Sequence, residues 1–424
     1  MTFAIGCMLL VALIVLGIPV GYALGLAGIG SLLLVTSPTT IAALMTKVVH
    51  STASNYVILT IPMFVLMAEL LSAGGVAQDL MVACARLTRR VRGGLAMACV
   101  LAGAVLASAS GSSTASSASI ARAAFPSMKA AGYRPGFAVG VVAISGTLAI
   151  MIPPSIAFVV YGLMTDASIG KLFIAGIIPG ILTAAGYMAT ISLAMRFRPD
   201  LGPSAGDASL DLLPQSAPVW PIALLILIVL GSLYGGVATP TEVAAIGALG
   251  ALLVSSATGR MTRGAFFEGV GNTLRTTAMI VTIIFGAHLF GYFVSFSRIA
   301  DTLLGWIGES GLPPYAVMLM VVGMYLLLGM VMDQMAIIIL TAPVTHALMT
   351  GLGYDEIWFG VVMVKTAEIG LVTPPMGLNV YIAASATRTE LRQGFLGIMP
   401  FIVFELLILA LLLAVPDLVL WLPG

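Results

Sequence analysis

The residues best suited to chemistry in this sequence are hydroxyl-bearing side chains gathered in one short segment. Residues 107–119 read ASASGSSTASSAS, and Gly111 is followed directly by Ser112, Ser113 and Thr114. The glycine favours the end of one helix, and the hydroxyls after it favour the N-cap of another. Such a hairpin tip offers hydroxyls, carbonyls and helix N-terminal amides to a bound ion or anion. Close helix packing through small residues is the plainer alternative.

Two proline pairs interrupt apolar segments. Pro153-Pro154 follows GTLAIMI, and Pro374-Pro375 follows EIGLVT. Proline cannot donate to the helical hydrogen-bond ladder and disfavours helical backbone in the residue before it, so both helices must break. Carbonyl oxygens freed at such a break suit a hard monovalent cation, and the N-terminus of the following half-helix suits an anion. A simple proline kink is the alternative, and two pairs in matching positions argue against it.

Few ionisable residues lie inside apolar segments. A charge at the centre of a membrane helix costs about 2.5–3.5 kcal/mol, so these residues should face protein or water. Asp333 and Gln334, within GMVMDQM, are the strongest polar candidates. Lys365 and Glu368 are three apart on one helix face, which suits a structural ion pair as well as a coupling role.

The other charged residues and the histidines are weaker candidates for a functional site. We expect Glu69, Lys47 and Glu405 to lie near membrane interfaces. His288 and His346 are interpreted as packing residues, because neither has a second metal ligand at helical spacing.

The composition indicates what kind of protein must position these residues. Of the 424 residues 60% are hydrophobic and 8% are charged, whereas about a quarter of a soluble domain is charged. Apolar segments of about 20 residues, enough to cross a bilayer core, recur along the chain. A formal charge of +1 excludes a nucleic-acid-binding surface. No phosphate-binding GxxxxGK[ST] loop is present, so an ion gradient is the expected energy source.

The sequence contains an internal duplication at constant register. Gly132-Tyr133 recurs as Gly353-Tyr354, which gives an offset of 221 (353 − 132 = 221). The same offset relates the two proline pairs, and it carries Pro19 onto Pro240. Internal repeats of this kind are a signature of many secondary transporters.

Each half is predicted to contain five crossings and one hairpin. The predicted crossings are 3–22, 24–46, 55–83, 135–163, 172–196, 218–235, 236–257, 265–296, 356–384 and 393–421. The stretches 93–128 and 313–350 are too long for one crossing and too short for two, which favours re-entrant hairpins. An odd number of crossings per half places the second half upside down, as an inverted repeat of an all-α membrane protein.

Basic residues predict the orientation of the crossings. Arg86, Arg89, Arg90 and Arg92 precede the first hairpin, and Arg122, Lys129 and Arg134 surround its end. The positive-inside rule therefore places the base of this hairpin in the cytoplasm and both termini outside. The polar segment 199–217 then joins the halves as a cytoplasmic linker.

Several motifs resemble the large membrane subunit of tripartite ATP-independent periplasmic (TRAP) transporters, of the DctM or SiaM type. These are ASGSSTASSASI (109–120), GYRPGFAVG (132–140), IPPSIAFVVYG (152–162), SIGKLFIAGIIPG (168–180) and EIGLVTPPMGLNVYI (368–382). Together they span nearly the whole chain. The resemblance implies a bacterial inner-membrane protein, not an enzyme, that needs no cofactor beyond coupling sodium ions. It also implies a small four-helix membrane subunit and a periplasmic substrate-binding protein as partners, a small anionic substrate, and no nucleic acid.

The resemblance also implies an elevator mechanism, in which hairpins and broken helices move as a transport domain against a scaffold. The expected division is 1–92 scaffold, 93–163 transport domain, 164–217 connecting helix and linker, 218–312 scaffold, 313–384 transport domain and 385–424 C-terminal helix. The sodium site that the family implies falls on backbone oxygens near Gly329, Gly370, Thr373 and Met376. The offset between the repeats adds Ser108, Ala149, Ile152 and Ser155. The expected substrate path is lined by Ser112, Ser113, Thr114, Asp333, Gln334 and Asn379.

Three alternatives remain open. The first is a stand-alone ion-coupled carrier for dicarboxylates or citrate, which would work without a binding protein. The second is an intramembrane serine hydrolase that pairs Ser112 with His288 or His346. The third is a channel, which is disfavoured because neither half offers a ring of carbonyls for a symmetric pore.

Overall fold

The computed structural model describes residues 2–203 and 219–424, and the regular structure in these ranges is helical without a strand. The first half contains α1 Thr2–Val15, α2 Val20–Leu32, α3 Pro38–Ser54, α4 Thr60–Ala73, α5 Val76–Thr88, α6 Gly94–Ser110, α7 Ser113–Ala130, α8 Pro135–Met151, α9 Ile156–Thr165 and α10 Ile169–Phe197. The second half contains α11 Trp220–Tyr234, α12 Pro240–Ala257, α13 Arg263–Ser297, α14 Ile299–Ser310, α15 Pro314–Gly329, α16 Gln334–Gly351, α17 Glu356–Gly370, α18 Leu378–Thr387, α19 Leu391–Ala414 and α20 Asp417–Leu420. This confirms the all-helical prediction.

The helices repeat at the register that the sequence predicted. α7 begins at Ser113 and α16 begins at Gln334, which reproduces the offset of 221 (334 − 113 = 221). α8 and α17 begin at Pro135 and Glu356, with the same separation. Corresponding helices also exchange partners: α2 packs on α13 while α4 packs on α12, and α7 packs on α18 while α16 packs on α9. Such swapped pairs are what a two-fold relation between the halves produces.

Glycines allow the close helix crossings between the two halves. A Cβ atom at Gly28 in α2 would lie 2.7 Å from the backbone nitrogen of Phe290 in α13. A Cβ atom at Gly140 in α8 would lie 2.5 Å from the backbone of Gly397 in α19. Small residues at such crossings let helix backbones pack directly in a membrane, where apolar burial gives little driving force for association.

Each predicted hairpin stretch contains two helices joined by a short break, and their re-entrant course stays a prediction. Gly111 ends α6 with φ +58°, and the Ser112 hydroxyl caps α7 by accepting the Ala115 amide at 3.5 Å. In the second hairpin the Asp333 carboxylate caps α16 by accepting the Met335 amide at 3.0 Å. Each tip therefore ends in a capped helix N-terminus.

Within the described ranges, six helices are long and apolar enough to cross a membrane alone. They are Tyr56–Ala73, Ile169–Phe197, Pro240–Ala257, Arg263–Ser297, Gln334–Gly351 and Leu391–Ala414. A seventh crossing combines α8 and α9, which meet at an angle of 40°. The shorter apolar helices are Ile5–Val15, Val20–Leu32, Gly94–Ser108, Trp220–Tyr234 and Pro314–Gly329.

The predicted bounds of the first crossings are wrong. Residues 3–22 do not form one helix, because α1 ends at Val15 and α2 begins after Pro19. The predicted crossing 24–46 is divided between α2 and α3. The segment 55–83 is also two helices, separated at Gly74 and at Gly75, which has φ +73°. By contrast, 265–296 is one continuous helix, α13, as predicted.

Most of the predicted linker 199–217 lies outside the described residues, and the part within them includes the turn Pro199–Leu201. The division into scaffold and transport domains stays a prediction.

Candidate functional site

The tips of both hairpins meet at one cavity with a volume of about 470 Å³. The cavity contains five of the six side chains predicted for the substrate path: Ser112, Ser113, Thr114, Asp333 and Gln334. These residues come from opposite halves of the sequence. The exchange of helix partners between the halves brings them together.

Asn379, the sixth predicted residue, lies one contact away from the cavity. The Ser113 hydroxyl donates to Asn379 Oδ1 at 3.4 Å, which links the first hairpin tip to α18 of the other repeat. The Asn379 side chain is fully buried, and its Nδ2 has no hydrogen-bond partner among the described residues. Gln334 Nε2 donates to the Val364 carbonyl at 3.4 Å and links the second tip to α17. Both tips are therefore tied to the broken helix of the second repeat, one to each of its two parts, α18 and α17.

Sequence reasoning missed the opposite wall of the cavity. Glu69 of α4 and Asn272 and Arg275 of α13 line it, and Asn272 Nδ2 donates to Glu69 Oε2 at 3.3 Å. The expected interfacial position of Glu69 did not anticipate this role. Arg275 carries a detectable signal, since it is a charge well inside a long apolar helix, where ionisable residues usually serve a function.

A second cavity continues the first along α7 and α13. It has a volume of about 410 Å³ and shares Glu69 and Asn272 with the first cavity. It extends past Ser119 to Arg122 and Glu268. Arg122 belongs to the basic cluster at the base of the first hairpin, which the sequence predicts to be cytoplasmic. The two cavities thus extend, through shared lining residues, from the hairpin tips toward that base.

The predicted cation site of the second half is assembled around a glycine contact. A Cβ atom at Gly370 would lie 2.4 Å from the Cα of Gly329, so the end of α17 touches the end of α15. The Thr373 amide donates to the Gly370 carbonyl at 3.0 Å, and the Thr373 hydroxyl donates to the Ile369 carbonyl at 2.6 Å. Gly329, Gly370 and Thr373 are therefore close together. Met376 lies at the exposed side of the break, and the residue is 55% exposed.

The corresponding site of the first half is more deeply buried. Gly111 packs against the break, where an added Cβ would lie 3.1 Å from the Pro154 carbonyl oxygen. The Ser155 side chain is fully buried, and its hydroxyl has no hydrogen-bond partner among the described residues. The Ser108 hydroxyl donates to the Val105 carbonyl at 2.7 Å, which leaves the lone pairs of its oxygen free to coordinate an ion. Ala149 is buried near the end of α8, and Ile152 caps that helix.

The helix breaks fall where the proline pairs predicted. The Pro153-Pro154 and Pro374-Pro375 peptide bonds are both cis. The first pair is buried and the second pair is exposed, so the two predicted cation sites have different surroundings.

A separate group of buried charges lies behind the broken helices. Lys365 Nζ lies 3.4 Å from Glu368 Oε2 and 2.5 Å from Glu405 Oε2, and it donates to Thr183 Oγ1 at 3.0 Å. The Tyr187 hydroxyl donates to Glu405 Oε1. The predicted Lys365–Glu368 ion pair is present. The expectation that Glu405 lies at an interface is wrong, since its side chain is 1% exposed.

The serine–histidine pair required for a hydrolase is not formed within the described part of the chain. The Ser112 hydroxyl contacts Thr114 at 3.2 Å instead. His288 contacts Thr52 at 3.4 Å, and His346 lies 3.5 Å from Glu356. In residues 2–203 and 219–424, no three His, Cys, Asp or Glu side chains cluster as a metal site would require.

A duplicated helical membrane protein whose paired hairpin tips line one cavity with hydroxyl, carboxylate and amide side chains belongs to the class of polytopic membrane transporters. Two solved transporters share this fold. YdaH of Alcanivorax borkumensis matches with a TM-score of 0.66 at 17% identity, over 92% of this chain and 91% of that one. MtrF of Neisseria gonorrhoeae matches with a TM-score of 0.61 at 14% identity, over 89% and 84%. At these identities the likeness concerns the fold alone.

Residues 7–418 match the model of the tripartite ATP-independent periplasmic transporter, DctM component, and the chain belongs to this family. The C4-dicarboxylate TRAP transporter large permease protein DctM of Pseudomonas aeruginosa is 36% identical, over 95% of this chain and 93% of that protein. The sialic acid TRAP transporter large permease protein SiaM of Vibrio cholerae is 28% identical, over 96% and 95%. The isethionate TRAP transporter permease protein DctMQ of Oleidesulfovibrio alaskensis is 31% identical, over 97% of this chain and 65% of that protein. The family comprises transport permeases, so the hydrolase hypothesis is wrong.

Proposed function

We propose that this chain is the large permease subunit of a TRAP system that takes up a small organic acid across the bacterial inner membrane, driven by sodium. The observation that carries the proposal is the cavity enclosed by both hairpin tips, with a helix break of each repeat behind it. Relatives that are 36%, 31% and 28% identical to this chain are named for C4-dicarboxylates, isethionate and sialic acid, respectively. These names share one chemical class, the small organic anion, and we assign the substrate to that class.

Sodium suits the two predicted sites because of the donor groups that they contain. Sodium is a hard cation that prefers oxygen ligands, and broken membrane helices supply backbone carbonyls. In the first site, the buried Ser155 hydroxyl has no hydrogen-bond partner among the described residues. A buried hydroxyl without a partner is costly, and a bound cation would relieve that cost. The residues involved are Ser108, Ala149, Ile152 and Ser155 in one half and Gly329, Gly370, Thr373 and Met376 in the other.

Coupling to sodium would supply enough energy for uptake. Each charge that moves down a membrane potential of 100 mV releases about 2.3 kcal/mol. Two or three ions would therefore drive an anion inward. We propose that the hairpins and broken helices carry the site across the membrane as an elevator, with α4 and α13 in the fixed scaffold. The proposed partners are a small four-helix membrane subunit and a periplasmic binding protein that delivers the acid.

The proposal is tested by reconstitution. The chain is purified with the small membrane subunit and binding protein encoded beside it, and calorimetry on the binding protein identifies the acid. We expect proteoliposomes to accumulate this acid only with the binding protein outside and an inward sodium gradient. Accumulation that persists when external sodium is replaced by potassium would contradict the sodium coupling. Accumulation without the binding protein would instead favour a stand-alone carrier.

Ser155→Ala tests the first cation site. Because this hydroxyl is free to coordinate an ion, we expect its loss to raise the half-saturating sodium concentration about 3- to 10-fold, as the loss of one hydrogen-bond-like contact would. Ser145→Ala is the matched control. Ser145 is also fully buried, but its hydroxyl donates to the Val141 carbonyl of its own helix at 2.7 Å. An equal sodium response in both variants would remove Ser155 from the site.

A further inference from the structure

The substrate cavity contains an arginine whose role neither the hairpins nor the proposed cation sites explain. Among the described residues, the ionisable side chains that line this cavity are Glu69, Arg275 and Asp333. Glu69 accepts a hydrogen bond from Asn272, and Asp333 caps α16. Within residues 2–203 and 219–424, Arg275 has neither an ion pair nor a hydrogen bond. Arg275 is exposed where it lines the cavity, and its guanidinium has no partner charge there.

The position of Arg275 makes a purely structural role expensive. It lies inside α13, a continuous helix of 35 residues that extends from Arg263 to Ser297. With a rise of 1.5 Å per residue, Arg275 lies about 18 Å along the helix axis from Arg263. Asn272, Thr276 and Met279 line the cavity from the same helix, so Arg275 belongs to the face of α13 that lines it. An unpaired arginine at such a position is a functional candidate by default.

We propose that Arg275 is the counter-ion that binds the carboxylate or sulfonate group of the substrate in the conformation described. This inference rests on the proposed function and adds a specificity-determining residue to it. The planar guanidinium forms two parallel hydrogen bonds to such a group. The hairpin hydroxyls of Ser113 and Thr114 face the same cavity and contact the remaining polar groups of the substrate.

Because Arg275 is in the predicted scaffold, its contact with the substrate depends on the position of the hairpins. α13 is in the predicted scaffold, whereas the hairpin tips are in the predicted transport domain. When the hairpins move, the substrate leaves Arg275 behind, so the contact exists on one side of the transport cycle. The cavity continues toward Arg122 and Glu268, at the base predicted to be cytoplasmic. Arg275 therefore sets the affinity on the cytoplasmic side, where it retains the acid until the hairpins return.

The test compares the half-saturating substrate concentration on the two faces of the membrane. Right-side-out and inside-out vesicles contain the complete permease with its small subunit, and the binding protein is present at the periplasmic face of both. The transported probe is the radiolabelled acid that the wild type accumulates. For Arg275→Gln we expect the value at the cytoplasmic face to rise about 10- to 100-fold, the usual effect of losing hydrogen bonds to a charged group. The value at the periplasmic face should change less than twofold. Arg275→Lys should recover part of the loss, because lysine keeps the positive charge but cannot form the two parallel hydrogen bonds of a guanidinium.

Arg263→Gln is the matched control, because Arg263 begins the same helix, is exposed and lines neither cavity. It should match the wild type on both faces. An unchanged cytoplasmic value for Arg275→Gln, or an equal rise on both faces, would overturn the proposal. Failure of the wild type to accumulate any acid would instead contradict the proposed function, so the two failures are distinguishable.

Discussion

Replacing Lys365 with methionine is expected to lower the free energy of unfolding by about 3–5 kcal/mol, the usual cost of removing one partner from a buried ion pair. Lys365 is fully buried between two carboxylates, Glu368 and Glu405, which are each 1% exposed. Without the ammonium group, both carboxylates would remain in a low-dielectric interior with no compensating charge. The network joins α17 to α10 and α19, so its loss should loosen the packing behind the second helix break.

The measurement is thermal or denaturant unfolding of the purified subunit in detergent. Lys171→Met is the control, since Lys171 is an exposed lysine at the start of α10. It should leave stability within about 0.5 kcal/mol of the wild type. The triple variant Lys365→Met, Glu368→Gln, Glu405→Gln removes all three charges and should recover most of the loss, since neutral replacements of buried ion pairs are often tolerated. Wild-type stability in Lys365→Met would show that the network contributes nothing.

Much of the fold could be predicted from the sequence because one constant offset aligns equivalent residues of the two halves. Proline pairs and glycines recur at one offset, and they fix the breaks that define each repeat. The bounds of α1 to α5 were harder, because continuous apolar sequence gives no period that separates one helix from the next. The repeats also differ locally. Asn55 ends α3 and caps the following turn, whereas the equivalent position, Thr276, continues α13 without a break.

The candidate site, like the fold, could be predicted only in part. The hairpin tips could be predicted, since serines after a glycine and an isolated Asp333 are visible within a short stretch of sequence. Glu69 and Asn272 could not, because their contact joins residues far apart in the chain and depends on how α4 crosses α13. The environment of Lys365 was also only partly predictable. Its spacing indicates Glu368, but Glu405 comes from a helix that the sequence alone does not place nearby.

The contact between Gly329 and Gly370 gives the sharpest mutational test of the second cation site. A Cβ atom at Gly370 would lie 2.4 Å from Gly329 Cα, 2.6 Å from its carbonyl carbon and 3.1 Å from the Met330 nitrogen. All three are backbone atoms, so no side-chain rotation relieves the overlap. In Gly370→Ala, α15 and α17 must separate and displace the carbonyls that the proposed site requires. Overpacking of this kind costs about 1–3 kcal/mol, which corresponds to about a 5- to 150-fold weaker sodium response.

The expected result for Gly370→Ala is a folded subunit whose uptake no longer rises with external sodium over the range that saturates the wild type. Size-exclusion elution and unfolding temperature report folding separately from the sodium titration in proteoliposomes. Gly323→Ala adds the same methyl group to α15, at a position where no described atom lies within 4 Å of the new carbon, and it should titrate like the wild type. If Gly370→Ala folds and titrates like Gly323→Ala, the glycine contact does not shape a cation site, because helices forced apart at this point could not keep the Gly329 and Gly370 carbonyls around an ion.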